Sequence, residues 1–114
     1  MLFRSISVVV PLYNEAESLP ELVEWIGRVA TANRLSYEII FVDDGSTDES
    51  WSVIERLKKS NPEIRAISFM RNYGKSAALY CGFDMAEGEV VFTMDADLQT
   101  TSSTFALIKT ARCP

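Results

Sequence analysis

Asp95 and Asp97, one residue apart at the end of an apolar run, are the side chains of this sequence whose type and spacing speak most directly of chemistry. Two carboxylates leaving a buried strand on one turn can put their oxygens into one small space, where they repel unless a proton or a cation lies between them. Magnesium and manganese take oxygen ligands and usually keep water and substrate phosphate in their shells, which suits a site that supplies only one or two carboxylates. The pair reads either as the protein side of a metal-bridged diphosphate or as a solvated turn in which an aspartate caps the next helix.

Three further clusters share this character. Asp43-Asp44-Gly45-Ser46 is made of turn residues, and Ser46 can cap a following helix. Turn chemistry does not require two adjacent aspartates, however, and one of them can accept hydrogen bonds from a nucleobase or a ribose hydroxyl. Asp43 is the expected base-recognition group, with Asp44 as its polar support. Pro11-Leu12-Tyr13-Asn14-Glu15 stands where a dinucleotide-binding protein carries G-x-G-x-x-G, and those glycines are absent. Tyr13 can cover a base while Glu15 bonds a ribose, or Tyr13 can be a packed loop aromatic. Arg71 and Lys75 flank Asn72-Tyr73-Gly74 at a helix start, where free N–H groups and the helix dipole favour anions. They either balance diphosphate charge or face water.

Composition narrows the chemistry further. The 114 residues carry a net charge of −5 and their lysines and arginines are scattered, so there is no basic stripe for a nucleic-acid backbone. An acidic protein can still hold a polyphosphate when a divalent cation offsets the repulsion. The sequence has no histidine, which removes Ser-His-Asp, Cys-His and histidine-ligand mechanisms. Cys81 and Cys113 lie at no metal-ligand or redox spacing and fit a reducing, cytoplasmic setting. No apolar stretch approaches the ~20 residues that span a bilayer, so the chain as given is expected to be soluble.

The elements that must position these groups are legible in the hydrophobic pattern. Apolar β-branched runs at Ile6 to Val10, Glu38 to Val42, Ile64 to Phe69 and Val90 to Met94 are continuous rather than alternating, as in strands covered on both faces. Ser18 and Glu21 sit at capping-box spacing with Pro20 in the first turn, and Leu19, Leu22, Val23, Ile26 and Ala30 form one helical stripe. Ser46 and Glu49 repeat that spacing ahead of a stripe of Trp51, Ile54 and Leu57, which Asn61-Pro62 terminates. A third helix is expected from Lys75 to Ala86, closed by Gly88 as a left-handed cap. The result is an open Rossmann-like α/β fold, a parallel sheet with helices on both faces. In such sheets ligands bind beyond the carboxyl ends of the strands, where all four polar clusters lie.

Taken in order, Val9-Val10-Pro11-Leu12-Tyr13-Asn14-Glu15, Val42-Asp43-Asp44-Gly45-Ser46-Thr47-Asp48 and Met94-Asp95-Ala96-Asp97-Leu98-Gln99 resemble the GT-A fold of inverting family-two glycosyltransferases. Arg71-Asn72-Tyr73-Gly74-Lys75-Ser76-Ala77-Ala78 is similar to the branch of dolichyl-phosphate mannose synthase and the bacterial polyprenyl-phosphate glycosyltransferases. The resemblance covers Ile6 to Gln99 and implies sheet order 3-2-1-4. It implies nucleotide contacts from Pro11, Glu15, Asp43 and Asp44, and places ribose, diphosphate and Mg2+ or Mn2+ on Asp95 and Asp97. With the residue readings above, Tyr13 and Ala96 complete the expected nucleotide-binding set and Arg71 and Lys75 the expected phosphate contacts. Residues 1–99 are thus read as a nucleotide-sugar-binding domain and residues 100–114 as an atypical tail, where Thr100 to Ser103 depart from the family pattern and Phe105, Leu107 and Ile108 start a short helix or a truncated end.

The implied reaction moves a sugar, with inversion, from a UDP- or GDP-linked donor to polyprenyl phosphate at the cytoplasmic face of a membrane. The resemblance puts the catalytic base, acceptor site and membrane helices of the parent enzyme beyond Pro114, so the chain itself is expected to bind donor without turnover. A carbohydrate hydroxyl acceptor and a non-catalytic nucleotide-binding fragment are the competing readings. An open fourth strand with unfinished neighbours is a pairing hazard, so self-association into a homo-oligomer is expected.

Overall fold

Strand and helix segments alternate as the hydrophobic pattern requires. The computed structural model describes residues 5–94 and 96 together with the backbone of residues 106–109. The strands are β1 (Ser5–Leu12), β2 (Ser36–Asp43), β3 (Ile64–Ser68) and β4 (Val90–Thr93), and the helices are α1 (Leu19–Ala32), α2 (Ser50–Ser60) and α3 (Lys75–Met85). β1 pairs in parallel with β2 and β4, and β2 with β3, so these four strands stand in the order 3-2-1-4.

The strands are mostly apolar because both faces are covered. Val8, Val10 and Leu12 of β1 and Ile39 and Phe41 of β2 pack with Leu19, Leu22 and Ile26 of α1 and Val53 and Ile54 of α2. The intervening residues Val9, Ile40 and Val42 form a second cluster with Ala78 of α3. Successive strand residues face opposite sides, so every second position serves each layer. The α3 layer is unusually close. A Cβ built on Gly82 would lie 2.3 Å from Val9 Cγ1, so the helix rests on β1 at the one position without a side chain.

The helix starts differ from the capping-box expectation. All five stripe residues of α1 are buried, but Ser18 makes no side-chain capping bond and sits in a helical conformation, its N–H donating to the Glu15 carbonyl at 3.1 Å. Ser46 does not cap α2, which begins four residues later at Ser50. Its hydroxyl instead accepts the N–H of Asn14 at 2.8 Å, a partner that no local pattern supplies. The buried side of α2 is Ser50, Val53 and Ile54, while Trp51 and Leu57 are half-buried at the margin of the core. Gly88 is not a left-handed cap, since α3 ends in extended backbone at Ala86. A Cβ on Gly88 would meet the Ile6 carbonyl carbon at 2.7 Å, and its N–H donates to Ser7 Oγ at 2.8 Å, so close approach explains this glycine.

The tail also departs from expectation. Ala106–Lys109 is a strand, β5, antiparallel to β4 with Val91 opposite Ile108, where a short helix had been one reading of this segment. An unpaired edge offers a row of backbone donors and acceptors, and the chain satisfies it with its own residues. The open β4 edge on which self-association rested is therefore closed. Among the described residues no helix is long and apolar enough to cross a membrane.

Away from the strand ends that carry the polar clusters, Glu38 joins four segments. Its carboxylate accepts the Ser7 hydroxyl at 2.6 Å, the Glu87 N–H at 2.8 Å and Arg65 Nη1 at 2.9 Å. Burial pushes the Glu38 carboxyl up, but the bonds from Ser7, Glu87 and Arg65 together hold it below the ordinary carboxylate value.

Candidate functional site

The carboxyl ends of β1, β2 and β4 enclose a pocket of about 210 Å³ lined by Pro11, Leu12, Tyr13, Glu15, Asp44, Lys75 and Ala96. Four separate stretches of sequence meet there because parallel strands deliver their exit loops to one rim. Pro11 is buried at the end of β1 opposite Val42, Tyr13 is 44% exposed on the rim, and Glu15 is half-buried. Ala96 is buried in the wall, and Lys75 opens α3. The volume falls below the ~300–1,000 Å³ common for small-molecule sites, so these walls have room for only part of a nucleotide-sized molecule.

The two adjacent aspartates have separate tasks, decided by strand parity. Asp43 continues the Ile39–Phe41 row that faces α1 and α2, and Asp44 follows the Ile40–Val42 row that faces α3. Asp43 is buried, accepts the Ser46 N–H at 2.9 Å and does not line the pocket. Asp44 does line it, yet its carboxylate accepts the N–H of Tyr73 at 2.7 Å and that of Gly74 at 3.0 Å. The expected supporting residue is thus the one at the pocket, and much of its hydrogen-bonding capacity serves the loop before α3.

Gly45 completes this joint. Its φ of 76° lies in the left-handed region, and a Cβ there would fall 2.4 Å from the Arg71 carbonyl carbon. Only glycine satisfies both conditions. The contact brings the loop after β2 against the loop after β3, and Asn72 Nδ2 adds a bond to the Asp44 carbonyl at 3.2 Å. Arg71 does not reach the pocket lining; its guanidinium lies 5.1 Å from the centroid of the Tyr73 ring, which in turn meets Phe69 edge-on. Of the two expected phosphate contacts, the structure brings Lys75 alone to the pocket.

Asp95 and Asp97 lie outside the described residues. In sequence they flank Ala96, which lines the pocket. Their hard oxygen donors fit magnesium or manganese better than a softer metal. Among the described residues no group of three or more histidine, cysteine, aspartate or glutamate side chains could hold a metal ion.

Sequence reasoning passed over the residues that tie the loops together. Asn14 is one: its φ of 55° and its bonds to Thr47 and Asp48 join the loops after β1 and β2. An asparagine in a short exit loop is the signal that pointed there, because asparagine tolerates left-handed backbone. Ser50, fully buried, is another, bonded to Asp48 and to the Glu15 N–H. The Ser50 hydroxyl bond, aided by bonds from backbone N–H groups and opposed by burial, holds the Asp48 carboxyl below its ordinary value.

Comparison with known proteins places this geometry. Residues 7–108 match the model of the family described as Glycosyl transferase family 2. The chain is 44% identical over 97 residues to the undecaprenyl-phosphate 4-deoxy-4-formamido-L-arabinose transferase of Proteus mirabilis, covering 84% of this chain and 30% of that protein. The protein of that name from Pseudomonas fluorescens Pf-5 is 41% identical over 95 residues, covering 82% of this chain and 28% of the relative. Among solved structures, the mannosyltransferase PcManGT from Pyrobaculum calidifontis, in complex with GDP-Man and Mn2+, superposes with a TM-score of 0.74 at 30% identity over 85% of this chain and 28% of that one. TarS from S. aureus in complex with UDP gives 0.68 at 27% identity over 82% of this chain and 27% of that one. The chain therefore spans under a third of the length of these relatives.

Proposed function

The chain belongs to glycosyl transferase family 2, and from that premise we propose that it is the donor-binding part of an inverting glycosyltransferase acting on polyprenyl phosphate at the cytoplasmic face of a membrane. The observation that carries this reading is the pocket where Pro11, Tyr13, Glu15, Asp44, Lys75 and Ala96 meet at the carboxyl rim of a parallel sheet. Its chemistry suits a nucleoside diphosphate. Tyr13 offers a ring to a base, the Glu15 carboxylate accepts from ribose hydroxyls, and Lys75 brings positive charge to the diphosphate beside the first turn of α3. Asp43 acts by holding the turn at Ser46. The relatives named for undecaprenyl phosphate support the acceptor, and the neighbours holding GDP-Man and UDP support the donor class.

Asp95 and Asp97 are the residues that would hold Mg2+ or Mn2+, and the cation would stabilise negative charge on the departing diphosphate. A phosphate acceptor is already anionic and needs less help from a base than a sugar hydroxyl does. Titration calorimetry with UDP and with GDP, each with and without Mn2+, tests the donor site. Binding of one of them that strengthens with Mn2+, and loses that dependence in Asp97→Asn, is the expected result. No heat with either nucleotide under any condition would sink the reading.

A further inference from the structure

Asn14 sits between Tyr13 and Glu15, two residues of the pocket wall, without lining the pocket itself. The three residues lie between the end of β1 at Leu12 and the start of α1 at Leu19, where neither a strand ladder nor a helix holds the backbone. A different set of bonds does so. Asn14 Oδ1 accepts the N–H of Thr47 at 2.8 Å and of Asp48 at 3.2 Å, and the Asn14 N–H donates to Ser46 Oγ at 2.8 Å. The next N–H, that of Glu15, donates to Ser50 Oγ at 3.0 Å, and the Ser50 hydroxyl donates to Asp48 Oδ1 at 2.6 Å. One asparagine side chain thus takes two amides of a loop more than thirty residues away, and does so from a left-handed φ of 55° that asparagine tolerates.

We propose that Asn14 is a positioning residue for the donor pocket: its clasp on the Ser46–Asp48 loop, through its N–H to Ser46 Oγ and its Oδ1 to the Thr47 and Asp48 amides, sets where Tyr13 and Glu15 present their side chains. The inference rests on the donor-site reading above. It assigns Asn14 no contact with the ligand, and it makes nucleotide affinity depend on hydrogen bonds made by a residue outside the pocket lining.

Two substitutions separate the acceptor from the backbone conformation. Asn14→Gly keeps the left-handed φ and removes Oδ1; Asn14→Asp keeps an acceptor in place, and salt screens its new charge against Asp48. Calorimetry on the full chain with UDP and GDP plus Mn2+ is expected to show Asn14→Gly weakened about tenfold, the effect of one to two net hydrogen bonds, and Asn14→Asp within about threefold of wild type. Hydrogen exchange at the Thr47 and Asp48 amides is expected to quicken in Asn14→Gly and to recover in Asn14→Asp. Should Asn14→Gly fail to fold, Ser46→Ala removes only the acceptor of the Asn14 N–H and is read by the same two measurements, with weakened binding expected. Undiminished affinity in Asn14→Gly, or in Ser46→Ala when that variant replaces it, overturns the proposal, as does an Asn14→Asp variant no better than glycine. Wild-type protein that binds neither nucleotide sinks the donor-site reading instead, and unchanged exchange at Thr47 and Asp48 then overturns the clasp by itself.

Discussion

Asp44 accepts the backbone N–H of Tyr73 at 2.7 Å, and its second oxygen accepts that of Gly74 at 3.0 Å. A carboxylate from the end of β2 therefore sits at the first turn of α3, where the helix dipole favours negative charge. This joint ties the pocket wall contributed by β2 to the start of α3, which contributes Lys75.

Asp44→Ala is expected to leave two part-buried amides without their acceptor, a loss of about 1 kcal/mol where water replaces part of the bond. Urea unfolding measures it as a lowered midpoint at unchanged slope. Asp44→Asn keeps one acceptor oxygen and should lose less. Equal midpoints for wild type and Asp44→Ala would show that the joint contributes nothing to stability.

The contact between Gly82 and Val9 leaves no room for a methyl group, since the added Cβ would stand 2.3 Å from Val9 Cγ1 and 3.3 Å from Cγ2. Gly82→Ala should destabilise by about 1–3 kcal/mol despite the better helix propensity of alanine. Val9→Ala opens space at the same point. The double variant is therefore predicted to be more stable than the sum of the two single losses implies, a coupling that a double-mutant cycle measures. Strict additivity would mean that the helix accommodates the methyl elsewhere.

Glu38 has a folded-state pKa below that of the unfolded chain. Its contribution is fully present above the unfolded value and disappears as pH falls through the folded value, so it steepens the acid limb of stability. Asp48, lowered chiefly by the Ser50 hydroxyl, acts in the same direction. Urea midpoints between about pH 3 and 6 should fall less steeply for Glu38→Gln than for wild type, with the remaining slope owed in part to Asp48. Superimposable slopes would exclude Glu38 as a contributor.

What the sequence determined by itself was everything with a local period. Four apolar runs became parallel strands, and Leu19, Leu22, Val23, Ile26 and Ala30 are all buried on α1 as their three-and-four spacing requires. That Pro11, Tyr13, Glu15, Lys75 and Ala96 meet at one rim of the sheet was legible because parallel strands must deliver their exits to one side. Tertiary structure decided which partner each polar group takes. Ser46 had a local task in capping α2 and a distant one in accepting the Asn14 N–H, and the distant one prevailed. Neighbouring Asp43 and Asp44 parted because pleating turns them to opposite layers. Ala106–Lys109 became a strand because β4 presented an unpaired edge. Periodicity is a property of a short window of chain, whereas a hydrogen bond goes to whichever group folding brings within reach, and that group can lie thirty residues away.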